Sequence, residues 1–393
     1  MQKKIFIISN SAWYIYNFRL TLMKTLRSNG YLPIAAAPAD EYAPRITAEG
    51  FTFLPVGMNR KGKNPFEDLH LLFRLWRIFR RERPDIILTY TPKPNIYASL
   101  AAFLLKIPVI NNVAGLGTVF GRRGILSAIV SQLYRAAFSR SCRIFFQNND
   151  DLKLFFDKGL VNRSIAERIP GSGIDVRKFV PQACRDPKKD RFVFLLAARL
   201  LWNKGVGEYV EAARLLKKRY PHVSCHLVGF IDTDNPQGIP LRQVRSWVEE
   251  GAIRYDGASD NIIEVMAGAD CVVLPSFYRE GVPRVLLEAA SMAKPVITTD
   301  GVGCRDAVES GVTGYVCRGK DVRDLADKME RMLLLSDKER ELMGARGREK
   351  MVREFDERFV IQRYLEVIES IEGTRNASGY APAGVSARAG LAH

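Results

Sequence analysis

Short apolar runs alternate with amphipathic stretches along this 393-residue chain. "KIFIIS" has the length of a strand, and "FRLTLMKTLRSNG" after it repeats apolar residues at helical spacing before a glycine stop. "YLPIAAAP" and "FTFLPVG" predict the next strands. "DLHLLFRLWRIFRRERP" predicts a helix with a basic face, stopped at Pro84. "DIILTY", "PVINNVAG" and "RIFFQN" continue the strands, followed by "ERIPGSGID". A second series opens near residue 190 with "RFVFLLAARL", a helix in "GVGEYVEAARLLKKRYP", and strands in "VSCHLVGF" and "IRYDGA". It continues with "CVVLPS", the helix "PRVLLEAASMA" and the strand "PVITTD".

Alternation of this kind predicts parallel sheets covered by helices on both faces. The polar stretch "VPQACRDPKKDR", with two prolines, separates the series. The expected fold is therefore α/β, with two facing Rossmann-like domains across a central cleft that binds ligands at the carboxyl ends of the strands. Residues 1–180 form the first domain and 190–355 the second. A helix over 356–372 is expected to pack back on the first domain. The small and polar tail from Gly373 onward, 373–393, is expected to be disordered.

Charge changes the picture. The chain carries a net +16, and its distribution is uneven. Residues 1–180 hold 27 Lys and Arg against 12 Asp and Glu, a net of +15, while 181–393 hold 32 against 31, a net of +1. A cationic half beside a neutral one points to a polyanionic partner. No early stretch reads as a signal peptide, and no run reaches the length of a membrane-spanning helix. The six cysteines form no CxxC pair, and with four histidines a histidine-rich metal site is not expected.

The densest chemical signal is "CVVLPSFYREGVPRVLLEAASMAKPVITTDGVGCRD". A buried strand ends at Pro275 and a helix opens near Pro283, where proline is tolerated. A helix N-terminus offers N–H groups and partial positive charge to a diphosphate. Gly281 allows close backbone approach, and Glu280 and Glu288, eight apart, can accept hydrogen bonds from hydroxyls of a ligand spanning the helix tip. Upstream, "AARLLWNKG" places Arg199 and Lys204 five apart at a strand end, where two cations can converge on a diphosphate. "DTD" at Asp232–Asp234 matches a metal-binding pattern, but "NPQGIP" beside it reads as a turn, and no metal or other cofactor is expected.

The glutamate string resembles the E-x7-E signature of the retaining glycosyltransferase family four, and "AARLLWNKG" resembles its diphosphate clamp, with Ala198 where glycine is usual. The resemblance implies the GT-B fold, Glu280 near the donor sugar, and Glu288 on the ribose of a nucleotide-sugar, most simply a UDP-sugar. It also implies Gly281, Val282 and Pro283 flanking the diphosphate. "YTPKPNIYASLAA", "NNVAGLGTVF", "FFQNNDD" and "IPGSGID" are similar to the branch that acts on polyprenyl-diphosphate-linked saccharides in bacterial surface-glycan assembly, over roughly residues 1–370. The histidine of many relatives is missing from "NNVAGLG", and Asn111, Asn112 or Gly115 cannot serve as a base in its place.

On this reading Glu280, Arg199 and Lys204 are the catalytic candidates. Asn17, Arg19, Lys93, Asn95 and Gly115 are candidates for acceptor contact. The basic segments "LHLLFRLWRIFRRERP" and "FGRRGILSAIVSQLYRAAFSR" favour docking of a cytoplasmic protein on an anionic membrane face. Nucleic acid is not expected as a partner, because no RNA-recognition or helix-turn-helix signature appears. "IFIISNSAWYIYN" lacks the GxGxxG of a nicotinamide enzyme. A nucleotide-sugar epimerase of the same fold is the alternative, although no acid–base set for proton abstraction stands out.

Overall fold

The computed structural model describes residues 2–59, 64–116, 124–182, 191–233 and 235–377. The first sheet holds seven strands: β1 (Lys4–Ile8), β2 (Leu32–Ala37), β3 (Thr52–Pro55), β4 (Ile86–Tyr90), β5 (Val109–Val113), β6 (Arg143–Phe146) and β7 (Ala166–Arg168). Their order is β3-β2-β1-β4-β5-β6-β7, and every pairing is parallel. The second sheet holds β8 (Phe192–Ala197), β9 (Val223–Val228), β10 (Arg254–Tyr255), β11 (Cys271–Leu274), β12 (Val296–Thr299) and β13 (Gly314–Cys317) in the order β10-β9-β8-β11-β12-β13, again all parallel. In both sheets strand order reverses direction once, between β1 and β4 and between β8 and β11. Crevices for ligands open at the carboxyl ends of such strands. These are the two doubly wound units of the GT-B architecture.

Helices cover both faces of the first sheet. α1 (Ala12–Ser28) and α2 (Ala43–Ala48) lie on one, and α3 (Pro65–Glu82), α4 (Ser99–Leu104) and α5 (Ile125–Phe138) on the other. α6 (Asn149–Asp157) follows β6. In the second domain α7 (Val206–Lys217), α8 (Leu241–Glu249), α9 (Ile262–Ala267), α10 (Arg284–Ser291), α11 (Val322–Leu334) and α12 (Asp337–Lys350) surround the sheet. The chain then returns. Ile174 donates to the carbonyl of Phe355 at 2.8 Å, and Glu357 donates back to Ile174 at 3.0 Å, so the outgoing and returning segments run side by side. α13 (Glu357–Ala377) buries Val360, Tyr364, Val367 and Ile368 in the core of the first domain.

Three expectations are corrected here. α1 begins at Ala12, six residues before the predicted helix, because Ser11 caps it: its Oγ accepts the amide of Tyr14 at 3.1 Å. β13 is a strand that the sequence reading passed over. It is four residues long, opens on Gly314 and follows a turn at Gly311, both at positive φ. Gly373 does not end the last helix, which runs to Ala377; the rest of the expected tail lies outside the described residues.

A polar network holds the centre of the first sheet. Asn111 on β5 donates to Thr89 Oγ1 and to Ser99 Oγ, each at 2.7 Å, and accepts from Ser141 at 2.6 Å. Asn95 accepts from Thr89 at 2.7 Å and donates to the carbonyl of Asn112 at 2.8 Å. Asn112 in turn donates to the hydroxyl of Tyr364 on α13 at 3.0 Å and accepts from Gln147 at 3.1 Å. Buried polar groups satisfied in this way fix one arrangement, and removing one partner exposes the other's desolvation cost. Tyr364→Phe is therefore expected to destabilise the protein by roughly 1–3 kcal/mol, read as a fall in denaturation midpoint. An unchanged midpoint would mean that α13 is held by its apolar face alone.

Candidate functional site

The site grows from the two switch-point strands of the second domain. The chain leaves β8 through Arg199 and a 3-10 turn, Trp202–Lys204, and then turns into α7 at Gly205. Gly205 has φ +77, and a Cβ there would stand 2.1 Å from the carbonyl oxygen of Pro275 at the end of β11. Only glycine lets these two strand ends touch. The carbonyl of Asn203 accepts the amides of Phe277 and Tyr278, each at 3.1 Å, which wraps the loop after β11 around the turn. Lys204 Nζ thereby meets Glu280 Oε1 in an ion pair, with Ser276 Oγ donating to the same oxygen at 3.0 Å. The two charged side chains are 14% and 12% exposed, so the pair is largely withdrawn from water.

Arg199 stands at the edge of this group. Its side chain is 45% exposed, and it lies 3.7 Å from Asp232. Tyr278 lies within electrostatic reach of both ends. Burial first, and then the carboxylate of Glu280, push its phenol pKa up, while Arg199 opposes them. The amide of Asn235 donates to the carbonyl of Asp232 at 3.1 Å, the turn expected there, and Asp234 lies outside the described residues. Among the described residues no group of three acidic, histidine or cysteine side chains is placed to hold a metal ion.

The first domain closes over the Glu280 loop. Asn148 caps α6 by accepting the amide of Asp151 at 2.7 Å, and its Nδ2 donates to the carbonyl of Glu280 at 3.1 Å. Arg279 pairs with Asp151 at 2.5 Å; the Asp151 side chain is 0% exposed, and burial raises its pKa against the pull of Arg279 and Asn148. Arg305 pairs with Asp150, bonding both carboxylate oxygens at 2.7 Å. Gly115, at φ +96, faces the peptide between Glu280 and Gly281, where a Cβ would come within 2.5 Å of the Gly281 nitrogen. Gly115 thus sits directly against the backbone of the Glu280 loop.

The helix tip is enclosed. Gly281, Val282 and Pro283 are buried. Gln147 Oε1 accepts from the amide of Val282 at 3.4 Å, and Pro283 has no N–H to give. The first domain packs against residues 281–283 through Gln147 and Gly115. Glu288, one turn into α10, pairs with Arg284 at 3.1 Å. Burial raises its pKa, opposed by Arg284 and Lys178. The guanidinium of Arg284 lies 5.1 Å from the ring centroid of Phe18 on α1, across the cleft.

The acceptor candidates separate. Arg19 is 2% exposed; it donates to Tyr14 at 3.0 Å and Ser172 at 3.1 Å and lies 4.2 Å over Tyr90. Asn95 belongs to the buried network of the first sheet. Both side chains are buried, turned inward by α1 and by the π-helical turn Pro94–Ala98. Asn17 donates to the carbonyl of Trp13 on its own helix at 2.9 Å. Lys93 pairs with Asp68 at 2.6 Å and lines a cavity of about 360 Å³ with Asp68, His70 and Arg74 at the carboxyl end of the first sheet. Sequence reasoning did not single out Gln147, Asn148, Asp151, Arg279 or Arg284. The polar cluster after "RIFF", capped by an asparagine before two aspartates, was the available signal.

Residues 4–148 match the profile of the glycosyl transferase 4-like family, and residues 183–350 match that of the glycosyl transferases group 1. The chain is 30% identical to the N,N'-diacetylbacillosaminyl-diphospho-undecaprenol alpha-1,3-N-acetylgalactosaminyltransferase of Campylobacter jejuni, covering 94% of this chain and 99% of that one. It is 24% identical to the UDP-Gal:alpha-D-GlcNAc-diphosphoundecaprenol alpha-1,3-galactosyltransferase of Escherichia coli, over 74% of this chain and 76% of the relative. In fold it is similar to the crystal structure of Anabaena Alr3699/HepE in complex with UDP and glucose, with a TM-score of 0.75 at 17% identity over 94% of this chain and 100% of that one. The chain belongs to this family of glycosyltransferases.

Arg279→Ala would leave Asp151 buried without its cation, at a cost of about 3–5 kcal/mol. Burial then lifts the folded-state pKa of Asp151 further above its unfolded value. The penalty is complete above that raised value, fades as pH falls from it towards the unfolded value, and is gone below the unfolded one. Denaturation of the variant across pH 3–7 is expected to show a deficit that shrinks in acid, and Asp151→Asn on the same background should restore part of the loss at neutral pH. A deficit independent of pH would assign the damage to packing.

Proposed function

We propose that this glycosyltransferase moves a hexose or N-acetylhexosamine from a UDP-sugar, with retention of configuration, onto a saccharide carried by polyprenyl diphosphate. On this reading it acts at the cytoplasmic face of the membrane. The observation that carries the proposal is the Lys204–Glu280 pair, gathered at the carboxyl ends of both switch-point strands beneath Gly115. The names of the Campylobacter and Escherichia relatives, with their diphosphoundecaprenol acceptors and alpha-1,3 products, support the acceptor class and the stereochemistry. Sugars of the common UDP-hexoses are α-linked to the diphosphate, so an α product is retention.

An arriving diphosphate competes with Glu280 for Lys204 and draws Arg199 from the rim. Glu280, released, accepts hydrogen bonds from hydroxyls of the donor sugar, and Glu288 does the same for the ribose. The bond from the anomeric carbon to the diphosphate breaks while the acceptor oxygen bonds on the same face, and the acceptor's proton passes to the leaving diphosphate. Stabilising that leaving charge is the work of Lys204 and Arg199. The proposal needs no metal or other cofactor, and the nucleotide-sugar is a co-substrate.

The purified protein, given a panel of UDP-sugars and a polyprenyl-diphosphate-linked saccharide in detergent, should release UDP and form one lipid product. That product should be lost in Glu280→Ala and show an α anomeric coupling in its NMR spectrum. A β product would overturn retention. Lys204→Ala should lower kcat by about 10²–10³-fold with a smaller change in donor KM. A rise in KM alone would remove Lys204 from transition-state stabilisation.

A further inference from the structure

Seven large apolar side chains among the described residues are more than half exposed, and five of them share one face of the first domain. Phe66, Leu69 and Phe73 lie on α3, Leu104 ends α4 and Ile129 is on α5, with exposures from 52% to 76%. α4 packs against both α3 and α5, so the three outer surfaces are continuous. On α3 the exposed residues stand at i, i+3 and i+7, one stripe of the helix. Leu71, Leu75 and Phe79 are buried on the sheet side. The exposed stripe is therefore surplus to the needs of the fold, and an apolar patch of this kind marks a contact surface.

Its cations gather over aromatic rings. Arg77 lies 5.9 Å from the ring centroid of Phe73, Arg80 lies 5.3 Å from that of Trp76, and Arg140 on the neighbouring edge lies 5.2 Å from that of Phe103. Phe73 and Trp76 stack on each other at 5.7 Å. Other surface arginines pair with carboxylates, as Arg318 does with Asp321 and Arg363 with Glu167, while Arg27 and Arg163 rest singly on rings. Among the described residues these three have no carboxylate partner, and each rests on an aromatic ring. Guanidinium groups above aromatics at the surface suit a boundary where anionic headgroups meet apolar chains.

We infer that the outward faces of α3, α4 and α5 form a docking surface for an anionic lipid bilayer. A second copy of the chain fits poorly, because a two-fold contact would set these arginines against their own counterparts. The net +15 of residues 1–180 gives the surface its long-range attraction to anionic lipid. The first turn of α3 also walls the cavity that holds Lys93 at the carboxyl end of the sheet. Docking by this face therefore brings the rim of the cleft to the bilayer. The surface extends the lipid-linked-acceptor reading and rests on it for its purpose, while its own test is separate from catalysis.

The full-length protein is sedimented with vesicles of phosphatidylcholine containing phosphatidylglycerol, and with phosphatidylcholine alone. Wild type is expected to bind the anionic vesicles at least tenfold better. Leu69→Ser/Phe73→Ser/Leu104→Ser should lose most of that binding at all salt concentrations. Arg77→Gln/Arg80→Gln/Arg140→Gln should lose its low-salt component. Both variants should keep the wild-type melting temperature and wild-type transfer to a water-soluble, short-chain acceptor. Variants that bind like wild type, a wild type indifferent to lipid charge, or release from vesicles by equimolar short RNA would each overturn the inference. If no acceptor supports transfer, the catalytic reading falls and the vesicle result still stands.

Discussion

Backbone contact between the two domains governs the position of Glu280. Gly115 from the first domain and Gly303 from the second press on the same stretch of chain, and a Cβ on Gly303 would fall 1.6 Å from the carbonyl oxygen of Gly281. Side chains cannot pass through so narrow a gap, so three glycines meet where three loops converge. The amide of Asn148 then fastens that carbonyl run, and Arg279 reaches back to Asp151. A carboxylate held by its own loop alone would sample many positions. Here the loop is gripped from outside its own domain, and the place of the carboxylate depends on how the domains meet.

Around this grip the charges are balanced within the protein. Lys204 faces Glu280, Arg279 faces Asp151, and Arg284 faces Glu288. Each pair is largely withdrawn from water, so each cation offsets the cost of burying its carboxylate's charge. The pairs have different tasks. Asp151 is wholly enclosed and belongs to the clasp between domains, whereas Glu280 and Glu288 retain slight exposure on the cleft side. Arg284, stacked on Phe18, links the second glutamate to α1 of the opposite domain.

Much of this was legible in the sequence, and the failures share a cause. Strand and helix alternation gave both sheets, because apolar periodicity is a local property. β13 escaped because four residues, the first of them a glycine, carry too little pattern. The pairing of Glu280 with Lys204 was half legible: both residues stood out, but that they bond each other depends on Gly205 bringing two strand ends together. Arg19 and Asn95 read in the sequence as candidates for acceptor contact, because charged and amide side chains are usually accessible. Only the tertiary packing of α13, with Tyr364 among its buried residues, shows that they close a polar core. The clasp residues Asn148 and Asp151 look like an ordinary helix cap until the other domain is placed above them.

The return of the chain along Ile174 has a consequence for how the molecule is made. The core of the first domain includes Tyr364, Val367 and Ile368, residues separated from the rest of that core by the whole second domain. On a ribosome, the second domain emerges as one uninterrupted stretch and can complete its core while the chain is still growing. The first domain begins earlier but must wait. Its sheet stays exposed along the face that α13 will cover until nearly the last of the described residues have been synthesised. Order of synthesis and order of completion are therefore reversed, and the cleft acquires its first wall last.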